Sequence, residues 1–103
     1  MNLCIVSTYS CTFDDFSALV KESEETFREF ITEYEVGKVN DHKSIMMSHC
    51  TDMEAFEAMM TSPEFKEWDK ENNCVDIVYS LEKINKPLNF TDLWKRLISP
   101  LLL

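Results

Sequence analysis

Glycine is almost missing from this chain: Gly37 is the only one in 103 residues. Loops that cradle phosphates use several glycines to bring backbone N–H groups up to the ligand, so P-loop and dinucleotide fingerprints are excluded. The left-handed backbone positions that glycine usually fills must fall to asparagine, which tolerates them best among the other residues. Asn40-Asp41 and Asn72-Asn73 stand where such turns are needed. Positive charge is scarce too. Ten Lys and Arg face nineteen Asp and Glu, a formal charge of −9. Proteins grip nucleic acid through Lys and Arg, so nucleic acid is excluded as an expected partner. No stretch approaches the ~20 apolar residues that span a bilayer, so no membrane span is expected. The opening "MNLCIVSTYSC" lacks the basic start, long apolar run and small-residue cleavage site of a secretory signal, which implies a cytoplasmic protein. Its cysteines, Cys4, Cys11, Cys50 and Cys74, then sit in a reducing compartment as free thiols, and no C-x-x-C pair occurs among them.

What is present reads as one globular domain. Hydrophobic residues make up 45% of the chain and aromatics 12%, enough to bury a core without disulfides at this length. Residues 2–10, "NLCIVSTYS", suit a strand. Thr12, with Asp15 three residues on, caps a helix predicted over 13–31 whose apolar stripe includes Phe13, Phe16, Leu19, Val20, Phe27, Phe30 and Ile31. Its Glu22, Glu25 and Glu29 could hold a cation but read as a solvated face, since calcium wants six to eight oxygens. "EYEVGKV" and "HKSIMMSHC" flank Asn40-Asp41 as a hairpin, with Gly37 expected at a bulge or a close backbone approach.

Thr51 and Glu54 read as a capping box opening a second helix that turns Met53, Phe56, Met59 and Met60 inward. Ser62-Pro63 interrupts that helix and restarts it, presenting Phe65 and Trp68. "CVDIVYSLEKI" alternates as a fourth strand with Val75, Ile77, Tyr79 and Leu81 on its apolar face. The order is βαββαβ, an α+β ferredoxin-like domain over residues 1–86. It implies a four-stranded antiparallel sheet with two helices on one face, in which the central first and third strands are read as running parallel. Residues 87–103 form an extension, with Phe90, Leu93, Trp94, Leu97 and Ile98 on one stripe of a short C-terminal helix.

The segment "HCTDMEAFEAMMTSPEFKEW" resembles the dimeric α/β-barrel superfamily, which includes antibiotic-biosynthesis-type monooxygenases. A strand, a polar turn, "EAF" early in the helix, then "SPEF" and an aromatic carry the likeness, which covers about residues 2–84. It implies two ferredoxin-like sheets packed face to face across a two-fold axis, with a pocket between each sheet and its helices. The heme-degrading branch would carry tryptophan where Cys50 stands and histidine where Asp69 stands, so heme chemistry is not implied.

Reading the odd-numbered strand residues as helix-facing brings Ser7, Tyr9 and His49 together in a greasy space lined by Phe16, Met47, Met60, Trp68 and Tyr79. A few convergent polar groups in an apolar cavity are the usual look of a small-molecule pocket. The plainer alternative is a His49–Tyr9 hydrogen bond inside an ordinary core. Cys11, Cys50, Cys74 and His49 are read as lying at one end of the sheet, but Cys50 and Cys74 project from the face opposite His49. No metal site and no cofactor are expected, and no residue is singled out as catalytic. The expected function is a homodimer binding a small hydrophobic molecule, fatty-acid-like or aromatic. The alternatives are a cofactor-free oxygenase or isomerase acting on such a molecule, and a structural dimerisation module.

Overall fold

The computed structural model describes residues 1–84; the expected C-terminal helix and the boundary at residue 86 lie outside the described residues. The elements run β1 (Leu3–Thr8), α1 (Phe13–Phe27), β2 (Ile31–Asn40), β3 (Lys43–Cys50), α2 (Met53–Met60), α3 (Pro63–Glu71) and β4 (Val75–Ser80). One sheet of order β2-β3-β1-β4 results. The ferredoxin-like βαββαβ order is therefore present, with the second helical layer broken into two pieces at Thr61-Ser62.

Local signals did much of this. Thr12 Oγ1 accepts from Asp15 N and an Asp15 carboxylate oxygen accepts from Thr12 N, closing the capping box that starts α1. Ser62 Oγ accepts from Phe65 N with Pro63 in the first turn of α3, where a missing N–H costs nothing. Asn40 Oδ1 accepts from His42 N at 2.8 Å and turns the chain from β2 into β3. Asn73 takes a φ of 48°, the left-handed position that a glycine-poor chain gives to asparagine. It alone has positive φ among the described residues, so the Asn40-Asp41 turn uses the side chain instead.

Two boundaries and the role of Gly37 differ from what the sequence suggests. The helix α1 stops at Phe27, because β-branched Ile31 and Thr32 open β2 and Ile31 pairs with Cys50. Asp52, not Thr51, caps α2, its carboxylate accepting from Ala55 N at 3.1 Å. Gly37 marks neither a bulge nor a close approach. It pairs in register with Ile45, and the register shifts fall at Ile31/Glu33 and Lys38/Asn40. A Cβ on Gly37 would sit 3.8 Å from Ile45 O, an ordinary contact.

The larger correction concerns direction. The strand β3 runs antiparallel to β1, with Leu3 opposite Ser48, Ile5 opposite Met46 and Ser7 opposite Ser44. In a split βαβ unit the α1 crossover makes β1 and β2 parallel, and the hairpin then forces the intervening β3 to oppose both. The odd residues of β1 consequently share the helix-facing side with the even residues of β3 and β4. Burial agrees: Leu3 is 1% exposed, Ile5 6%, Met46 9%, and Ser44 and Ser48 0%. Leu3, Ile5, Phe27, Phe30, Ile31, Met46, Cys50 and Phe56 form the core between sheet and helices.

Among the described residues no helix covers the other sheet face. Cys4 and Val6 lie there beside Ile45, Met47, Ile77 and Tyr79, and Ile45, Ile77 and Tyr79 are 37%, 50% and 51% exposed. Val78 sits on the helix side across from Ile5. Yet it is 42% exposed, because the helix layer stops short of β4.

Candidate functional site

A cavity of about 70 Å³ lies between the helices and the sheet. Its floor is Ile5 and Met46; Phe16, Leu19, Val20 and Phe27 of α1 wall one side, and Phe56, Met60, Phe65 and Trp68 of α2 and α3 the other. One end is polar, formed by Ser7, Asp69, Cys74 and Asp76. The backbone explains that end. The left-handed Asn73 turns the chain sharply enough for Cys74 N to donate to Asp69 O at 2.8 Å, which draws the start of β4 back under α3. In the next register position Asp76 lies opposite Ser7, and Ser7 Oγ donates to Asp76 Oδ1 at 2.5 Å. The Cys74 thiol points at the same oxygen from 3.6 Å.

Two carboxyls and a thiol thus share one half-buried corner, with donor atoms all within 4.8 Å of one another. Burial first, then the charges of Asp76 and Asp69, pushes the Cys74 thiol far above its ordinary range, so it stays protonated. Burial, with the Asp76 charge second, also holds Asp69 above the ordinary 3.8, against a smaller lowering by Cys74. A carboxyl raised in this way binds its proton more tightly folded than unfolded. Its contribution favours the fold below pH 3.8 and is lost as pH rises through the folded value. Asp69→Asn should therefore raise the melting temperature at pH 7 and lose that advantage as the pH approaches 3.8. Thermal unfolding across this range checks it, and an effect equal at both pH values would show that Asp69 is not strained by its surroundings.

The sequence-expected pocket residues divide between the two faces. Ser7, Phe16, Met60 and Trp68 line the cavity. Tyr9 lies on the same side, 5% exposed, stacked on Phe16 at 4.6 Å between centroids. Its hydroxyl and that of Ser44 are buried and have no hydrogen-bond partner among the described residues. Met47, His49 and Tyr79 point the other way, onto the outer sheet face, where Glu33 stands across from His49 and Tyr79 is two strands from Met47. Tyr9 and His49 therefore project from opposite faces of the sheet.

Cysteine placement changes for the same reason: Cys50 pairs near the Leu3 end of β1, while Cys74 lies beyond the Thr8 end. All four cysteines are free thiols. Glu22, Glu25 and Glu29 are exposed, and Glu29 lies past the end of α1.

Sequence reading missed Asp69, Cys74 and Asp76. What decides their placement is register. Once β4 is paired antiparallel to β1 in the observed register, the acid in "CVDIVYS" falls on the helix side and the Val75, Ile77, Tyr79 stripe falls outside.

No family model and no curated relative matches the sequence. Solved structures match the fold. SnoaB, a cofactor-independent oxygenase from Streptomyces nogalater, superposes with a TM-score of 0.57 at 11% identity, covering 84% of this chain and 96% of its own. A candidate antibiotic-biosynthesis monooxygenase from Deinococcus radiodurans gives 0.53 at 12% identity, covering 84% and 99%. At such identity the likeness shows a shared fold alone, and chemistry has to be argued from the site.

Proposed function

We propose that the protein is a homodimer that holds a small, mostly hydrocarbon molecule in the cavity between sheet and helices, oriented by one hydrogen-bond donor on that molecule. One observation carries this reading: a wall of apolar side chains closed at one end by Asp69, Asp76 and the protonated Cys74 thiol. Carboxylate oxygens accept, so the corner favours a hydroxyl or amine and repels the carboxylate of a fatty acid. This anchor lies on the opposite side of the sheet from His49. At about 70 Å³ the cavity is smaller than the ~150 Å³ that takes a benzene ring in an apolar core. An aromatic occupant would be admitted by movement of Met46, Met59 and Met60, whose unbranched side chains yield readily.

Phenol and toluene separate the two parts of the claim, since they differ by the donor alone. Phenol should bind more tightly by about 1.5 to 3 kcal/mol, the range for a hydrogen bond to a charged group. Asp76→Asn should shrink the difference in a calorimetric titration. Equal binding of both probes would remove the anchor; binding of neither would remove the pocket.

The raised Asp69 supports a second reading. A carboxyl pushed toward neutrality beside a bound hydroxyaromatic is suited to accept its proton. The protein would then be a cofactor-free oxygenase or isomerase, the former being how SnoaB is described. Turnover falling ~10²- to 10⁴-fold in Asp69→Asn with affinity kept would favour it over simple binding.

A further inference from the structure

Asp69 and Asp76, the half-buried carboxyls at the polar end of the cavity, have no cationic partner among the described residues, whose ion pairs join Met1 to Glu33 and Lys38 to Asp41. Lys66 and Lys70 stand close to Asp69 along α3, yet both are exposed and neither is paired with it. No Lys, Arg or His lines the cavity. Charges taken out of water are ordinarily paired, so this corner holds an unbalanced negative charge beside an apolar wall.

The imbalance extends past the cavity. An open groove of about 490 Å³ along α2 and β4 adjoins it at Phe56, Met60, Asp69 and Asp76. Glu54 and Glu57 add two further carboxylates to the lining of the groove, and again no basic residue faces them there. A polar head held at Asp69 and Asp76 therefore has carboxylates on two sides and hydrocarbon on the third. Burial and the Asp76 charge already hold Asp69 above its ordinary value, a strain that a cation beside it would relieve.

A hydroxyl brings one donor and no charge, whereas a primary ammonium brings three donors and a positive charge. The difference matters because Asp76 Oδ1 already accepts from Ser7 and faces the Cys74 thiol. The donor atoms of the two carboxyls and the thiol lie within 4.8 Å of one another, so one nitrogen at about 2.8 Å from each carboxyl fits between them. A bare zinc ion would want a fourth ligand and calcium at least six, and either would leave the apolar walls unused. We propose that the occupant of the cavity is a primary amine bound as its ammonium ion, with the nitrogen between Asp69 and Asp76 and a short unbranched hydrocarbon chain along Phe16, Val20, Phe56 and Met60. This rests on the ligand reading of the cavity and narrows it from any hydrogen-bond donor to a cation.

The test titrates the full chain at pH 7 with n-butylamine, 1-butanol and butyrate, which share a hydrocarbon part and differ in the head, and follows binding by NMR. The amine should bind about ten-fold more tightly than the alcohol, and butyrate more weakly than either. Methylamine should bind at least ~10-fold more weakly than n-butylamine, since each methylene withdrawn from water is worth roughly four-fold. Asp69→Asn and Asp76→Asn should each remove most of the amine's advantage over the alcohol. Asp69 donates and accepts none of the hydrogen bonds that place β4, so its variant carries the test should Asp76→Asn fail to fold. Glu22→Gln, which removes one negative charge from the exposed face of α1, should leave the advantage intact. An alcohol that binds as tightly as the amine would overturn the amine and keep the ligand reading; binding of none of the probes would remove both. Methylamine equal to n-butylamine, or the same loss in Glu22→Gln as in Asp69→Asn, would reduce the effect to bare charge attraction and overturn the proposal.

Discussion

Ile77→Glu should convert the proposed dimer into a folded monomer. Ile77 lies on the edge strand β4, at the end of the row Gly37, Ile45, Val6, Ile77 on the outer sheet face, and the next row brings Glu35, Met47, Cys4 and Tyr79. Contiguous apolar surface of this kind is seldom left to water on a soluble monomer. Partial exposure of Ile45 at 37% and Ile77 at 50% leaves both side chains available. An isologous pairing would use the same apolar patch of both copies, so each row, Ile77 included, would face the partner. A glutamate in that row, buried by the partner, would then leave a charge unpaired, at a cost of about 3 kcal/mol or more, roughly two orders of magnitude in the dissociation constant. Its own fold would not suffer, because the residue faces away from the core. Sedimentation velocity with circular dichroism checks both halves. A wild-type protein that is monomeric at micromolar concentration would contradict the proposed dimer outright.

Phe56→Ala should cost the fold about 3 to 5 kcal/mol, a large part of the stability of a domain this size. Phe56 is 6% exposed, belongs to the core, and stands in the wall that cavity and groove share. Its loss leaves a void that short α2 cannot close, since Asp52 pins the helix start and Ser62-Pro63 fixes the next turn. Chemical denaturation should show the loss in midpoint with little change in slope. The same variant should bind benzene or toluene better than wild type, because the void adds room to an apolar cavity that starts at about 70 Å³. A milder loss with no gain in binding would mean that Met59 and Met60 collapse into the space.

The contrast between elements that were legible in the sequence and those that were not follows the range of the forces involved. Thr12 with Asp15, and Ser62 with Pro63, specify helix starts through bonds spanning three residues, and those starts are where they were expected. The element order is equally local, which is why βαββαβ could be read from the chain. Strand direction depends on which segments meet across the sheet, a non-local fact, and a single wrong parity carries every residue of a strand to the other face. That is how Met47, His49 and Tyr79 came to be expected beside Ser7, and how Asp76 was passed over as an outward acid. Alternation in β4 gave no protection. Its apolar stripe faces the outer side, so hydrophobicity alone pointed the wrong way. Asp69 and Cys74 could not be paired from sequence either, since their contact depends on the left-handed turn at Asn73.

Mapping where phenol perturbs the methyl and amide resonances of the wild-type protein tests the central claim most directly. Shifts should gather on Ile5, Met46, Phe56, Met60 and the Cys74–Asp76 backbone, all around the cavity. They should weaken in Asp76→Asn and stay unchanged in His49→Ala, because His49 lies across the sheet from the site. Shifts centred on His49, Met47 and Tyr79, abolished by His49→Ala, would contradict the account and return the binding site to the other face.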